Sequence, residues 1–275
     1  MEQRLQDLVR RDEEEIDLAE AALLVALHAC PRLDVGHYLA RIDEFGAGLR
    51  ERIAPDAPAT RRIEALNRYL FGELGFSPNR DDYYDPRNSF LHEVIDRRIG
   101  IPITLSVLYM EVGRRIGLSL QGVGFPGHFL VKCAVGEAMV VLDPYGGGLS
   151  LGIAELQERL RASRGGEVSR AIIASLLVAA GKKDILARML RNLKAIYLRE
   201  QALEKALAIL DALVAAVPAD AAERRDRGML YQQLDCFGAA ADDFEHYLAR
   251  VPGAADADDI RQRVVELRGR AARLN

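Results

Sequence analysis

Apolar residues recur at helical spacing along the first part of the chain and predict a set of packed helices. A spacing of three or four residues places such side chains on one helix face. The first two faces consist of Ile16, Ala19, Leu23 and Leu27, and then of Leu39, Ile42, Leu49 and Ile53. A third face, formed by Ile63, Leu66 and Leu70, is predicted to end at Gly75.

From Pro102 to residue 116 the pattern is almost continuously apolar and predicts a buried central helix, because proline is favoured at the first helical position. Two β-prone runs, expected to form strands over 128–134 and 139–143, flank Gly136-Glu137 and predict an antiparallel hairpin. A buried helix packed on antiparallel strands is an α+β arrangement.

The last part of the chain repeats with a period of 34 residues, which is typical of the tetratricopeptide repeat. Matching positions are Tyr197 with Tyr231, Ala206 with Ala240, Leu210 with Phe244, and Pro218 with Pro252. Small alanines allow paired helices to approach closely, and the prolines stop the second helix of each pair. Because two repeats are fewer than the ~3 that usually stand alone, we expect support from the front domain and from a closing helix over 258–274.

Composition narrows the classes of function. The 275 residues carry 37 Lys and Arg against 41 Asp and Glu, so the net charge of -4 argues against a nucleic-acid ligand. The acidic start lacks a signal-peptide core, and no apolar window reaches the ~20 residues of a membrane span. Three separated cysteines indicate reduced thiols in a cytoplasmic protein, with no metal site and no cofactor expected.

Two domains are expected, 1–165 and 166–275, because the Gly165-Gly166 pair favours a linker. The front domain contains the strings GIPITLS (100–106), GFPGHF (124–129) and LDPYGG (142–147). With RRIG at 114–117, these strings resemble the SirB-type branch of the transglutaminase-like proteins. The resemblance implies an α+β, papain-like core with N-terminal helices, followed by an all-α tetratricopeptide-like array.

In this fold, a Cys at the start of the central helix faces a His and an Asp on neighbouring strands, and His128 and Asp143 match the last two. The predicted hairpin independently places them nearly opposite each other, so that Asp143 could orient the imidazole. The nucleophile position is occupied by Pro102 or a direct neighbour, none of which can attack a carbonyl. Strand alternation points Cys133 to the other face.

A hydroxyl is the alternative nucleophile. Ser106 lies one helical turn, ~6 Å, beyond Pro102 on the same face, at a distance expected to break contact with His128. The simpler explanation of Ser106 is a serine bonded back to a helix carbonyl. His128 and Asp143 are likewise compatible with a structural hydrogen bond.

The favoured hypothesis is a non-catalytic scaffold that binds a protein partner through its repeats. The alternative is a hydrolase or acyl-transfer enzyme that uses His128, Asp143 and either Ser106 or water. In the repeat register, the inner groove receives Arg188, Arg191, Asn192 and Arg225. Arginine binds carboxylates bidentately, so an acidic partner segment is expected, unless these arginines are exposed or pair with acidic residues of the front domain.

Overall fold

The computed structural model describes residues 2–166 and 168–274. Its contacts divide the chain into two compact units. The front unit is Asp12–Met189, and the repeat unit consists of Met1–Arg11 with Leu190–Asn275. The helices are α1 (Glu2–Arg10), α2 (Leu18–Leu24), α3 (Val35–Arg50), α4 (Ala59–Asn67), α5 (Leu91–Arg97), α6 (Pro102–Arg115), α7 (Ile153–Arg164), α8 (Arg170–Leu176), α9 (Lys182–Arg199), α10 (Leu203–Ala216), α11 (Ala221–Gln233), α12 (Phe237–Arg250) and α13 (Ala257–Leu274). The strands are β1 (Ser77–Pro78), β2 (Ile99–Gly100), β3 (Leu120–Val123), β4 (Leu130–Val135), β5 (Ala138–Asp143) and β6 (Leu149–Leu151).

The predicted central helix is confirmed as α6, which begins at Pro102. Its side chains are buried from Pro102 through Val112, which explains the absence of a polar stripe in the sequence. Helices α2, α3, α4 and α5 contact α6. A Cβ atom on Gly113 would clash with Leu120, so glycine lets β3 approach the helix closely.

The sheet has the order β3-β4-β5-β6 and is antiparallel throughout. The predicted hairpin is confirmed, since Val135 pairs with Ala138 across a turn in which Gly136 has φ +59°. Strand β4 begins at Leu130, so the prediction that His128 lies within it was wrong. A hydrogen bond from the His128 N–H to the Phe125 carbonyl instead closes a turn before the strand.

Helices α7 and α8 cover one face of the sheet. Their Leu156, Leu160 and Ile173 share a core cluster with Leu130 and Val141 of the strands. The predicted domain boundary between 165 and 166 therefore falls inside the front unit, where α8 completes the core behind the two glycines. Helix α6 also packs on the sheet, through its contacts with β3 and β4.

The repeat unit confirms the predicted helical array. In chain order α9 and α10 correspond to the first repeat; α10 packs on α11, α11 on α12, and α12 on α13. Phe244 is completely buried, and a Cβ atom on Gly228 would lie 2.7 Å from its ring. The phenyl ring thus fills the space that glycine leaves between α11 and α12.

The sequence predicts that residues 1–165 form the front domain, but helix α1 belongs to the repeat unit. Its buried Leu5, Leu8 and Val9 explain this difference, because α1 packs on α10. Among the described helices, none combines the length and apolar character needed to cross a membrane.

Candidate functional site

His128 lies in the turn between β3 and β4, after Gly127, whose φ of +68° favours glycine. The ring Nδ1 accepts a hydrogen bond from the Phe129 N–H at 3.0 Å. The neutral imidazole therefore carries its proton on Nε2, which lies 3.6 Å from Asp143 Oδ2. The structure thus brings His128 and Asp143 together without a hydrogen bond between them, and it occupies Nδ1 of the ring.

Asp143 ends β5 and is 1% exposed. Arg159 on α7 places Nη2 2.8 Å from Asp143 Oδ2, the same oxygen that faces His128. A Cβ atom on Gly146 would lie 2.9 Å from this oxygen, so glycine leaves room for the carboxylate. Within the described residues Asp143 Oδ1 has no hydrogen-bond partner. The carboxylate is therefore balanced chiefly by a guanidinium that the sequence pattern did not indicate.

Burial lowers the pKa of His128. The charge of Asp143 opposes this effect, while the charges of Arg159 and Arg188 lower the pKa further. The ring is consequently neutral at pH 7.

His128 and Asp143 line a cleft of about 470 Å³. The other lining residues are Arg80, Pro126, Gly127, Tyr145, Gly146, Arg159, Ala162 and Ser163. The rings of Tyr145 and His128 make an edge-to-face contact, with 5.7 Å between their centroids. The Tyr145 hydroxyl donates a hydrogen bond to the Asn79 carbonyl at 3.2 Å. As far as the structure describes the chain, α6 contributes no residue to this cleft.

The start of α6 offers no reacting atom to the cleft. Ile101 and Ile103 are 1% and 2% exposed, and Pro102 is also buried. Ser106 is completely buried and donates a hydrogen bond to the Phe129 carbonyl at 3.4 Å. The Ser106 hydroxyl therefore connects α6 to the residue that precedes β4. It does not bond to a carbonyl of its own helix, although the sequence suggested such a bond.

Cys133 is buried in β4, and burial raises the pKa of its thiol. Alternation along the strand places Cys133 on the face opposite to Leu130, which packs in the cluster beneath α7. Asp143 lies on the same face as Val141, a member of that cluster. Cys133 is therefore on the other side of the sheet from Asp143.

Arg188, predicted to line the repeat groove, lies in the front unit instead. Its Nη2 donates to the His128 carbonyl at 2.7 Å, and its guanidinium lies 5.5 Å from the centre of the Phe129 ring. Burial lowers the pKa of Arg188. The side chain thus supports the turn that carries His128, and its role in partner binding stays a prediction.

The other predicted groove residues lie in the repeat unit. Arg191 pairs with Asp220 at 2.8 Å and with Glu223 at 2.7 Å, while Lys194 also contacts Glu223, at 2.6 Å. Asn192 is half-buried on the same helix. Glu223 is only 3% exposed, so these cations balance a buried carboxylate.

Arg225 is also bound within the repeat unit. It pairs with Asp256 at 3.0 Å and with Asp226 at 3.1 Å, and its guanidinium lies 5.7 Å from the centre of the Tyr247 ring. The expected basic groove is therefore neutralised in place, by carboxylates of the repeats and not of the front domain.

Sequence reasoning missed Arg80, Tyr145, Arg159 and Ser163 as cleft residues. Tyr145 belongs to the LDPYGG string and could have been selected beside Asp143. Arg159 and Ser163 carried no such signal, because only the packing of α7 brings them to the cleft. In the described parts of the chain, no group of three or more His, Cys, Asp and Glu side chains is placed to hold a metal ion.

Comparison with known proteins agrees with both units. Residues 36–191 match the model of the transglutaminase-like superfamily, and residues 193–265 match that of the tetratricopeptide repeat. These matches, the α+β core and the His–Asp cleft define a transglutaminase-like protein with repeats. No solved structure matches the chain.

Relatives place the chain more narrowly. A UPF0162 protein of Xylella fastidiosa (strain 9a5c) is 40% identical over 258 residues, which are 93% of this chain and 92% of that protein. A UPF0162 protein of Vibrio cholerae is 34% identical over 208 residues, 74% of each chain. Mouse F-box only protein 21 is 32% identical over 164 residues, 57% of this chain and 25% of that protein. The chain belongs to the transglutaminase-like superfamily and, within it, to the UPF0162 family.

Proposed function

We propose that this protein is a non-catalytic transglutaminase-like scaffold, which keeps a cleft at His128 and joins it to repeats that bind a protein partner. The observation that carries the proposal is the hydrogen bond that engages Nδ1, the nitrogen whose lone pair a neutral His128 would use as a base. Nδ1 accepts the Phe129 N–H, and Nε2 faces Asp143. A general base needs a free lone pair within reach of the proton that it removes, and neutral His128 offers none in this arrangement.

The missing nucleophile supports the same conclusion. A serine or cysteine attacks only when an activating base lies within hydrogen-bond reach. Ser106 is buried and bonded to the Phe129 carbonyl, and Cys133 lies on the other face of the sheet. Assignment to the SirB-type branch and a cytoplasmic location are part of this proposal, supported by the three sequence strings and the unpaired cysteines.

A covalent probe tests the proposal. The full-length protein is treated with a fluorophosphonate or an active ester, and adducts are located by peptide mass spectrometry. We expect no stoichiometric adduct that depends on His128. An adduct on Ser106 or Ser163 that disappears in His128→Ala would instead establish an enzyme.

The second candidate is a hydrolase or acyl-transfer enzyme, and one observation favours it. The lowered pKa keeps His128 neutral, and Ser163 adds a hydroxyl to the same cleft. If the Phe129 hydrogen bond breaks when a substrate binds, Nδ1 would become free to accept a proton from Ser163 or water. Ser163→Ala distinguishes the two nucleophiles, because only the water route would survive this substitution.

The repeat unit supplies the partner-binding part of the proposal, since tetratricopeptide arrays present extended binding surfaces. An acidic partner segment remains a prediction, and it would have to compete with Asp220 and Glu223 for Arg191, and with Asp256 for Arg225. Such competition would weaken binding compared with a groove of unpaired arginines.

Fluorescence anisotropy of a labelled oligoglutamate peptide tests the acidic-segment prediction. The double variant Arg191→Gln/Arg225→Gln should lose binding, while Arg268→Gln, an exposed arginine of α13, serves as the control. Glutamine is preferable to glutamate here, because a new acid beside buried Glu223 would disturb the fold. Equal peptide affinity in the wild type and the double variant would place the binding site elsewhere.

A further inference from the structure

A second pocket of about 390 Å³ lies in the front unit beside the C-terminal end of α6. Its volume falls within the range of small-molecule sites. Arg50, Arg62 and Arg115 line it together with the apolar side chains of Ile53, Pro55 and Ile116. The pocket shares no lining residue with the His128 cleft.

Arg62 is fixed by backbone carbonyls. Its Nε donates to Ala57 at 2.9 Å, Nη1 to Ile116 at 2.7 Å and Nη2 to Pro55 at 3.0 Å. Gly117 has φ +78°, and a Cβ atom there would lie 2.7 Å from Arg62 Nη1, so the chain leaves space for the guanidinium. Three of five N–H donors are used, and two remain for a ligand.

The three arginines differ in charge balance. Arg115 pairs with Asp43 at 2.6 Å and with Glu111 at 2.9 Å. Arg50 donates to the Arg115 carbonyl at 2.5 Å. Across the described residues, neither Arg50 nor Arg62 forms an ion pair with a carboxylate. The negative ends of α3 and α6 together offset about one charge, so the two guanidiniums still leave the pocket positive.

We propose that this pocket binds an organic carboxylate that carries a short apolar chain. The carboxylate would accept the remaining N–H groups of Arg50 and Arg62, since guanidinium and carboxylate match in geometry and charge. The apolar chain would lie against Ile53, Pro55 and Ile116. Positive charge and apolar wall together select this ligand class over an inorganic anion, which would use only the arginines.

Isothermal titration calorimetry with octanoate tests the proposal on the full-length protein. Wild type should bind octanoate with a Kd of about 1 mM or tighter, and Arg50→Gln should weaken binding by about tenfold, equivalent to one lost charged hydrogen bond. Arg61→Gln is the matched control, because Arg61 pairs with exposed Glu64 and does not line the pocket. Acetate tests the charge without the chain, and octylammonium tests the chain with the opposite charge.

Binding of octanoate that exceeds binding of acetate and octylammonium, and that is weakened in Arg50→Gln but not in Arg61→Gln, would support the site. Arg50 is exposed, so this variant should fold, and a thermal melt verifies this. Absence of saturable octanoate binding, equal affinity in Arg50→Gln, or equally tight binding of octylammonium would overturn the proposal.

Discussion

Several arginines of the two units bind different kinds of partner, although Arg115 and Arg159 of the front unit also pair with carboxylates. In the repeat unit, Arg191, Arg225 and Arg227 pair with carboxylates. In the front unit, Arg62 and Arg188 donate to backbone carbonyls. A carboxylate cancels the charge of a guanidinium, whereas a carbonyl fixes its position and leaves the charge in place. The front unit is therefore the better place to look for an anionic ligand, although the repeats contain more conspicuous arginines.

The paired arginines of the repeats have a structural consequence as well. Arg227 contacts Asp243 at 2.6 Å and Asp211 at 2.7 Å, and burial makes such pairs sensitive to the loss of either partner. The repeat helices are thus held by ionic contacts in addition to apolar packing.

The largest expected effect concerns apolar packing in the repeats. Phe244→Ala should lower the free energy of unfolding by ~3 to 5 kcal/mol, because the fully buried ring leaves a cavity against Gly228. Urea unfolding measures the change, and Val265→Ala, at a position that is 74% exposed, should cost less than ~0.5 kcal/mol. An unchanged unfolding midpoint in Phe244→Ala would show that the repeat packing is misassigned.

Removal of a buried carboxylate should have the next largest effect. Asp243→Ala leaves Arg224 without its aspartate and weakens the support of Arg227, at a cost of ~2 to 4 kcal/mol. Its neighbour provides a matched control, because Asp242 pairs with exposed Arg268 and Asp242→Ala should cost at most ~1 kcal/mol. Chemical denaturation measures the free energy of unfolding of both variants. Equal losses of stability would mean that burial does not strengthen these ion pairs.

In the front unit, Arg159→Met should cost ~1 to 3 kcal/mol because buried Asp143 loses its cationic partner. Arg161→Met on the exposed side of α7 is the control and should be nearly neutral. The two melting curves give the comparison. Arg159→Met as stable as Arg161→Met would show that Asp143 does not depend on the guanidinium.

The smallest expected effect is on pH dependence. Burial lowers the pKa of His128 in the folded protein, so the unfolded chain binds a proton first as pH falls below ~6.5. The contribution of neutral His128 is therefore complete above that pH and lost progressively below it. His128→Gln should lose less stability than the wild type between about pH 7.5 and pH 5.5, measured by urea unfolding. Equal losses would contradict a lowered pKa.

Much of the fold could be predicted because local patterns encode it. The apolar run after Pro102 predicts α6, Gly136-Glu137 predicts the hairpin, and the 34-residue period predicts the repeat helices. The domain boundary predicted at Gly165-Gly166 differs from the observed one, because these glycines separate α7 from α8 and both helices pack in the same core. Glycine pairs mark a turn and do not reveal what packs behind it.

The candidate site was less predictable because side-chain partners depend on tertiary structure. His128 and Asp143 could be selected from sequence strings, but Arg159 comes from a distant helix. Arg191 was assigned to a basic groove from its register position alone. Its pairing with Glu223 depends on how α9 packs against α11, which the repeat period does not specify.

The hydrolytic rate of the full-length protein tests the central claim most directly. Wild type and His128→Ala are compared on a panel of p-nitrophenyl esters and p-nitroanilides at neutral pH. A catalytic base contributes on the order of 10²-fold or more to a rate. The account predicts equal rates at the level of uncatalysed hydrolysis, and a fall of about 10²-fold in His128→Ala would contradict it.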